Sequence, residues 1–322
     1  MFRHFPVAML IAASLATAPA MAADFRIATQ QEAVAILTAE DEVLSRFQPL
    51  EIGVRLESET DQSLQSLQAL YADVVTEFTD AERAQLDAVV VAQAERIASI
   101  AALLPEEILF IATDRRIDGG FPHTRANAIV FPGGVAHLDD AALTALFWHE
   151  LYHVLSRHIA DERDEMYALL GYRPCDFQPG EELHARRLTN PDAPGNDHYA
   201  PLELENADGV VPYLNVPEGG YSAERGGSFP NYFGFALVAV SVDDGVCTPV
   251  TGEDGAPVML NPGTAPGFLD LIGRNTQYVI HPEETLADNF TLWMTGAENL
   301  PNPEIVERVR DWHLALATER AG

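Results

Sequence analysis

Two histidines four positions apart, His149 and His153, with Glu150 directly after the first, are the residues of this chain best suited to chemistry. An α-helix advances by about 100° per residue, so such a pair stands one above the other on a single face. That spacing lets both imidazoles hold one Zn²⁺ at about 2.0–2.1 Å. Glu150 then lies beside the metal, where its carboxylate can take a proton from an attacking water. The alternative is a chance match with no metal, which must also fall by accident on a helix with one apolar side.

The flanking residues supply such a helix. Asp139 and Asp140 are N-cap candidates, and Leu143, Leu146, Phe147, Leu151, Val154 and Leu155 form a broad apolar stripe. Ahead of it, Ile108 to Thr113 reads as a buried strand, Gly119-Gly120 as a turn, and Asn127 to Phe131 as a second strand ended by Pro132-Gly133-Gly134. Asn127, Ala128, Ile129, Val130 and Phe131 are expected to form an edge strand whose free backbone groups hold an extended peptide. An ordinary structural strand is the alternative. His158, nine residues after His149, falls on the opposite side of the helix, and Arg157 is expected to pair with an acidic residue.

Asn127-Ala128-x-x-x-Pro132-Gly133-Gly134, followed by His149-Glu150-x-x-His153-Val154-x-x-Arg157-His158, resembles the zinc peptidases related to prenyl-protein and HtpX-type proteases. In those gluzincins the third zinc ligand is a Glu on a later helix, in an E-x-x-A-D pattern, matched here by Glu284-Thr285-Leu286-Ala287-Asp288. The resemblance spans roughly residues 107–160 and 275–295. It implies a zincin-like domain in which His149, His153 and Glu284 bind one Zn²⁺ per chain, with Glu283 as the alternative third ligand. Asp288, one turn on, would accept the spare ring N–H of a ligating histidine, His149 in the first instance. The family's Ser-Arg pair ahead of the Glu is absent. Tyr278 and His281 are local candidates to stabilise the transition state, with a core or capping role as the alternative. The metzincin pattern fails, because Ser156 and Ile159 stand where it needs Gly and His.

The expected fold class is α+β. Residues 1–22 read as a secretory signal peptide: Arg3, an apolar run from about Val7 to Ala18, and Ala20-Met21-Ala22 as cleavage site. Residues 23–104 read as a mainly helical part. Gln30 to Phe47 suggests a helix, Leu50, Ile52, Val54 and Leu56 alternate like a strand, and Asp61 to Phe78 suggests another helix. Thr79 and Glu82 form a capping-box pattern opening a third helix to about Leu103. Residues 105–160 carry the strands and the histidine helix. Residues 161–274 form a β-rich insertion or lid, with strands at Val210 to Val216 and Phe233 to Val242. Residues 275–322 hold the third-ligand helix, stripe Leu286, Phe290 and Trp293, and a last helix lined by Ile305, Val309, Trp312 and Leu316. His313 is expected to be exposed.

A net charge of −30, with every one of the 19 basic residues an Arg, argues against nucleic acid or anionic lipid as partner. No apolar run after the first segment is long enough to span a bilayer. The two cysteines, Cys175 and Cys247, can form one disulfide in an oxidising compartment; two free thiols are the alternative.

These features together predict an exported, periplasmic or secreted zinc metallopeptidase acting on peptides or proteins, with Glu150 as general base. Two alternatives stand beside it: a zinc-containing binding or chaperone-like module of the cell envelope with a closed site, and a hydrolase of another amide such as a cell-wall bond. Substrate, endo- or exo-cleavage and oligomeric state are not readable from the sequence.

Overall fold

The computed structural model describes residues 23–60, 62–216 and 219–322; residues 1–22, expected to be a signal peptide, lie outside the described residues. The chain is α+β. It opens with β1 (Asp24–Ile27), α1 (Gln30–Thr38), α2 (Pro49–Arg55), α3 (Leu64–Asp73), β2 (Val75–Thr76), α4 (Asp80–Ala92) and α5 (Ala94–Ser99). Then come β3 (Glu107–Thr113), β4 (His123–Arg125), β5 (Ala128–Pro132) and the long α6 (Asp140–His158). Three segments run as expected, β3, β5 and α6, and α4 starts as expected behind its Thr79–Glu82 capping box.

The first sheet has the order β1-β3-β5-β4, with β2 also on β3. β1, β3 and β5 are parallel, and β4 is antiparallel to β5. Successive strand residues point to opposite faces. Ile108, Phe110, Ile129 and Phe131 therefore face α4 and α6, while Leu109, Ile111, Ala128 and Val130 face α1 and α3. Helices on both faces explain why β3 and β5 are continuous apolar runs. They also overturn one expectation. The 127–131 strand lies between β3 and β4, so its backbone is paired on both sides, and the edge belongs to β4.

The turn from β5 into α6 needs its glycines. Gly133 and Gly134 have φ of 79° and 69°, and a Cβ on Gly134 would stand 2.0 Å from Glu82 Oε1. That oxygen accepts from Val135 N at 2.9 Å and Ala136 N at 3.2 Å, tying the start of α4 to the approach of α6.

Residues 50–56 are not a strand. Pro49 at the first helical position and near-complete burial make this segment α2, which packs on both sides. The helix expected to reach Phe47 stops at Thr38, the one expected to reach Phe78 stops at Asp73, and the one expected to reach Leu103 breaks at Gln93.

The middle of the chain holds α7 (Arg163–Ala168), β6 (Arg173–Pro174), β7 (Asp176–Phe177), α8 (Gly180–Ala185), β8 (His198–Leu204), β9 (Ala207–Asn215), β10 (Gly234–Asp243), β11 (Val246–Pro249), β12 (Met259–Leu260) and α9 (Phe268–Ile272). Its sheet has the order β6-β8-β9-β10-β11-β7, with β12 on β10. The Asp244-Gly245 turn joins β10 to β11 with positive φ at both residues, the geometry that matches strand twist. One face packs around the Cys175–Cys247 disulfide, Cα–Cα 5.8 Å. Ala200, Val210 and Leu237 on the other face join the main core.

The chain closes with α10 (Pro282–Thr295) and α11 (Pro303–Ala321). α10 lies along α6 through aromatic contacts, Phe290 to Trp148 at 6.1 Å and to Tyr152 at 5.2 Å between ring centroids. His313 is fully buried among Tyr152, Phe290, Trp293 and Trp312, contrary to the expected exposure. No helix among the described residues is long and apolar enough to cross a membrane.

Candidate metal centre

α6 begins where Asp139 accepts from Ala142 N, and it runs far enough to carry both histidines on the side facing α10. α10 begins with Pro282 at its first position, and this brings Glu284 against both imidazoles. Glu284 Oε2 is 3.2 Å from His149 Nε2 and 3.4 Å from His153 Nε2. Ligand atoms held at about 2.0–2.1 Å by a tetrahedral ion stand about 3.3–3.4 Å apart. The two separations therefore match a shared ion. His153 Nε2 is buried and has no hydrogen-bond partner, a cost that a metal ion would remove. His149, His153 and Glu284 form a cluster that could hold a metal ion.

Each histidine is also braced from behind. His149 Nδ1 lies 2.9 Å from Asp288 Oδ1, and the Thr276 hydroxyl donates to the other Asp288 oxygen. His153 Nδ1 lies 3.2 Å from Glu283 Oε1, while the Tyr167 hydroxyl donates to Glu283 Oε2 at 2.8 Å. Asn190 Nδ2 donates to Glu284 Oε1 at 2.5 Å. Carboxylates behind the rings fix the tautomer and turn both Nε2 atoms toward the shared point. Glu283 is thus a brace for His153, in addition to its neighbour's place in the cluster.

The electrostatics follow from this crowding. Burial pulls the His149 imidazole down, but the Asp288 and Glu284 contacts outweigh it and carry it up to about 10. His153 is raised in the same way, against burial, by Glu284, Asp192 and Glu283. Burial alone would raise Glu284; His153 and His149 hold it well below its ordinary range. Without a metal the cluster binds protons, and a cation entering it must displace them.

Glu150 is 3 % exposed, and its Oε2 is buried without a partner. Burial and the nearby Asp192 push it up to about 8 against the pull of the histidines. A cleft of about 380 Å³ passes His149, Glu150, Asp288 and Tyr278. Tyr278 is 43 % exposed, and its ring centroid stands 6.0 Å from that of His149. Partial burial of its phenol, together with Glu284, Asp192, Glu150 and Asp288, raises its pKa, so it stays a protonated donor.

His281 has a different role. It is buried, its Nδ1 accepts from Glu283 N at 3.1 Å and its Nε2 donates to Gly195 O at 2.9 Å. Both ring nitrogens are occupied in capping α10, so His281 is not a transition-state donor. The 127–131 strand lines neither the cleft past Glu150 nor the pocket beside it. Its neighbour β4 does, through His123. The outward N–H of β4 is already taken: Asp192 Oδ1 accepts from Thr124 N and Thr124 Oγ1, each at 2.6 Å. Arg157 closes this corner, donating to Thr124 Oγ1, Ala126 O and Pro191 O, and pairing with Glu42 at 3.3 Å.

Tyr167, Asn190, Asp192 and Thr276 were not visible as site residues in the sequence. Asn190 and Asp192 sit in a loop with no periodic pattern. Their position depends on Thr189, whose N–H and hydroxyl bond the buried Glu51 at 2.6 and 3.0 Å. α2, with no evident chemistry of its own, thus anchors the loop that reaches the cluster. Compared with known proteins, the chain matches no family model, no curated protein and no solved structure.

Proposed function

We propose that this chain is an exported zinc-dependent peptidase of gluzincin type. The observation that carries this reading is the spacing of His149, His153 and Glu284 around one point, with Glu150 beside it in an open cleft. Two imidazoles and a carboxylate are a donor set that zinc favours, and three protein ligands leave a position free for chemistry. Zinc there would supply a Lewis acid that polarises a carbonyl and makes water nucleophilic at neutral pH.

The side chains divide the remaining work. Glu150 takes the proton of the attacking water and delivers it to the leaving amine. The Tyr278 hydroxyl donates to the carbonyl oxygen as negative charge develops. Asp288 and Glu283 keep His149 and His153 in register, and Asn190 does so for Glu284. Export is supported by the signal-like first segment and by the disulfide, which suits an oxidising compartment. The test is casein hydrolysis before and after chelation. Loss on chelation and recovery with one equivalent of zinc is expected; hydrolysis that survives chelation rejects the assignment.

One observation favours a second reading. Asp192 occupies the β4 N–H that an extended peptide would use. A metal-bearing binding module with a closed site would look like this. The Asp192→Ala variant separates the two: cleavage that appears or rises marks a peptidase held shut, and no cleavage in either form marks the binding module.

A further inference from the structure

Beside the cleft lies a second cavity of about 260 Å³, which shares Phe121, Pro122 and Tyr278 with it. Its rim is apolar and open: Phe121, Phe233 and Tyr278 are 52 %, 39 % and 43 % exposed, three of the five large hydrophobic side chains exposed among the described residues. Clustered exposure of this kind marks a contact surface, since scattered apolar residues need no explanation but grouped ones do. Its walls are the buried Leu214, Phe229 and Ile280.

The floor is polar, and its Arg55 and Asp118 are already matched. Arg55 pairs with Glu51 at 2.8 Å and with Asp118, and its guanidinium sits 4.4 and 4.5 Å from the ring centres of Phe47 and Phe229. Tyr71 donates to both Asp118 oxygens. Burial drives His123 down to about 4, so it adds no charge at neutral pH. An acidic head entering this floor would find no free cation, because Arg55 is already paired, whereas Asp192 also lines the cavity with a carboxylate bonded to Thr124 N and Oγ1 rather than to a cation. Cofactor-sized ligands occupy about 300–1,000 Å³, and this cavity falls below that range.

We infer that this cavity receives one bulky side chain without negative charge, aromatic by preference, of a peptide bound in the adjoining cleft next to the bond that Glu150 acts on. The assignment rests on the peptidase reading for its neighbour but not for its chemistry. An aromatic ring fills the apolar walls, stacks against Phe233 and Tyr278 at the rim, and leaves the paired floor undisturbed.

The test has a binding arm and a cleavage arm. Zinc-loaded wild-type protein is titrated with N-acetyl-phenylalaninamide and N-acetyl-alaninamide, and its cleavage sites in a peptide library are mapped. About tenfold or greater preference for the aromatic amide is expected, reduced by Phe233→Ala at the open rim and by Ile280→Trp, which fills the cavity from its wall. Cleaved bonds should carry a bulky apolar residue on one side. Equal binding of the two amides overturns the inference, as does a preference that neither variant alters, or cleavage with no such residue beside the bond. Selective binding with no cleavage leaves the pocket standing and rejects the peptidase reading instead.

Discussion

Glu283 Oε1 faces His153 Nδ1 at 3.2 Å, from the residue directly before the one that approaches the opposite nitrogen of the same ring. One turn of α10 thereby grips His153 from both ends. Asp288, a turn further on, does for His149 what Glu283 does for His153. Paired braces of this kind typically affect metal affinity by about 10–100-fold. Glu283→Gln is therefore expected to weaken zinc binding by about that factor and Asp288→Asn likewise, while Glu284→Gln weakens it further. Competition against a colorimetric chelator reads all three; equal affinity in Glu283→Gln and wild type would contradict the brace.

Removing the disulfide should cost stability without touching the centre. Cys175 and Cys247 are separated by 72 residues, and closing a loop of that size is worth about 4 kcal/mol on the chain-entropy estimate. The double Cys→Ser variant should unfold at markedly lower denaturant yet bind zinc in equal stoichiometry. Loss of the zinc with the disulfide would show that the second sheet holds the centre in place.

His313 predicts an acid sensitivity. Burial holds it down to about 4, against 6.5 for the free side chain, with the Val309 carbonyl opposing the shift. Between those values the unfolded chain takes a proton that the folded chain refuses, so stability is full above about pH 6.5 and falls toward pH 4. The slope from this one group approaches about 1.4 kcal/mol per pH unit. His313→Leu should flatten the curve in that window. An unchanged slope in denaturant midpoints from pH 4 to 6.5 would show that other groups carry it.

Much of the centre was legible in the sequence because it is local. The helical spacing of His149 and His153, the cap at Asp139 and the Pro282 start of α10 each act over a few residues. The α+β class and the disulfide partners were legible too. What was not legible depends on distant packing. Leu50, Ile52, Val54 and Leu56 alternate as a strand would, but α2 is buried on nearly every side, which erases the helical period. β4 is three residues, His123–Arg125, too short and too polar to announce itself, so the edge was assigned to its apolar neighbour. His313 follows Ile305 and Val309 at steps of four, on the buried face; the signal was present, and the polar residue type hid it. Asn190 and Asp192 reach the centre only because Glu51 and Arg157 hold their loop.

The central claim, that Glu150 works beside a metal held by His149, His153 and Glu284, is tested most directly by one comparison. Zinc content and casein hydrolysis are measured on wild type and Glu150→Gln together. The account predicts one zinc per chain in both, with hydrolysis in the wild type and loss of about three orders of magnitude or more in the variant. Equal hydrolysis by the two proteins, or no zinc in the active wild type, would contradict it.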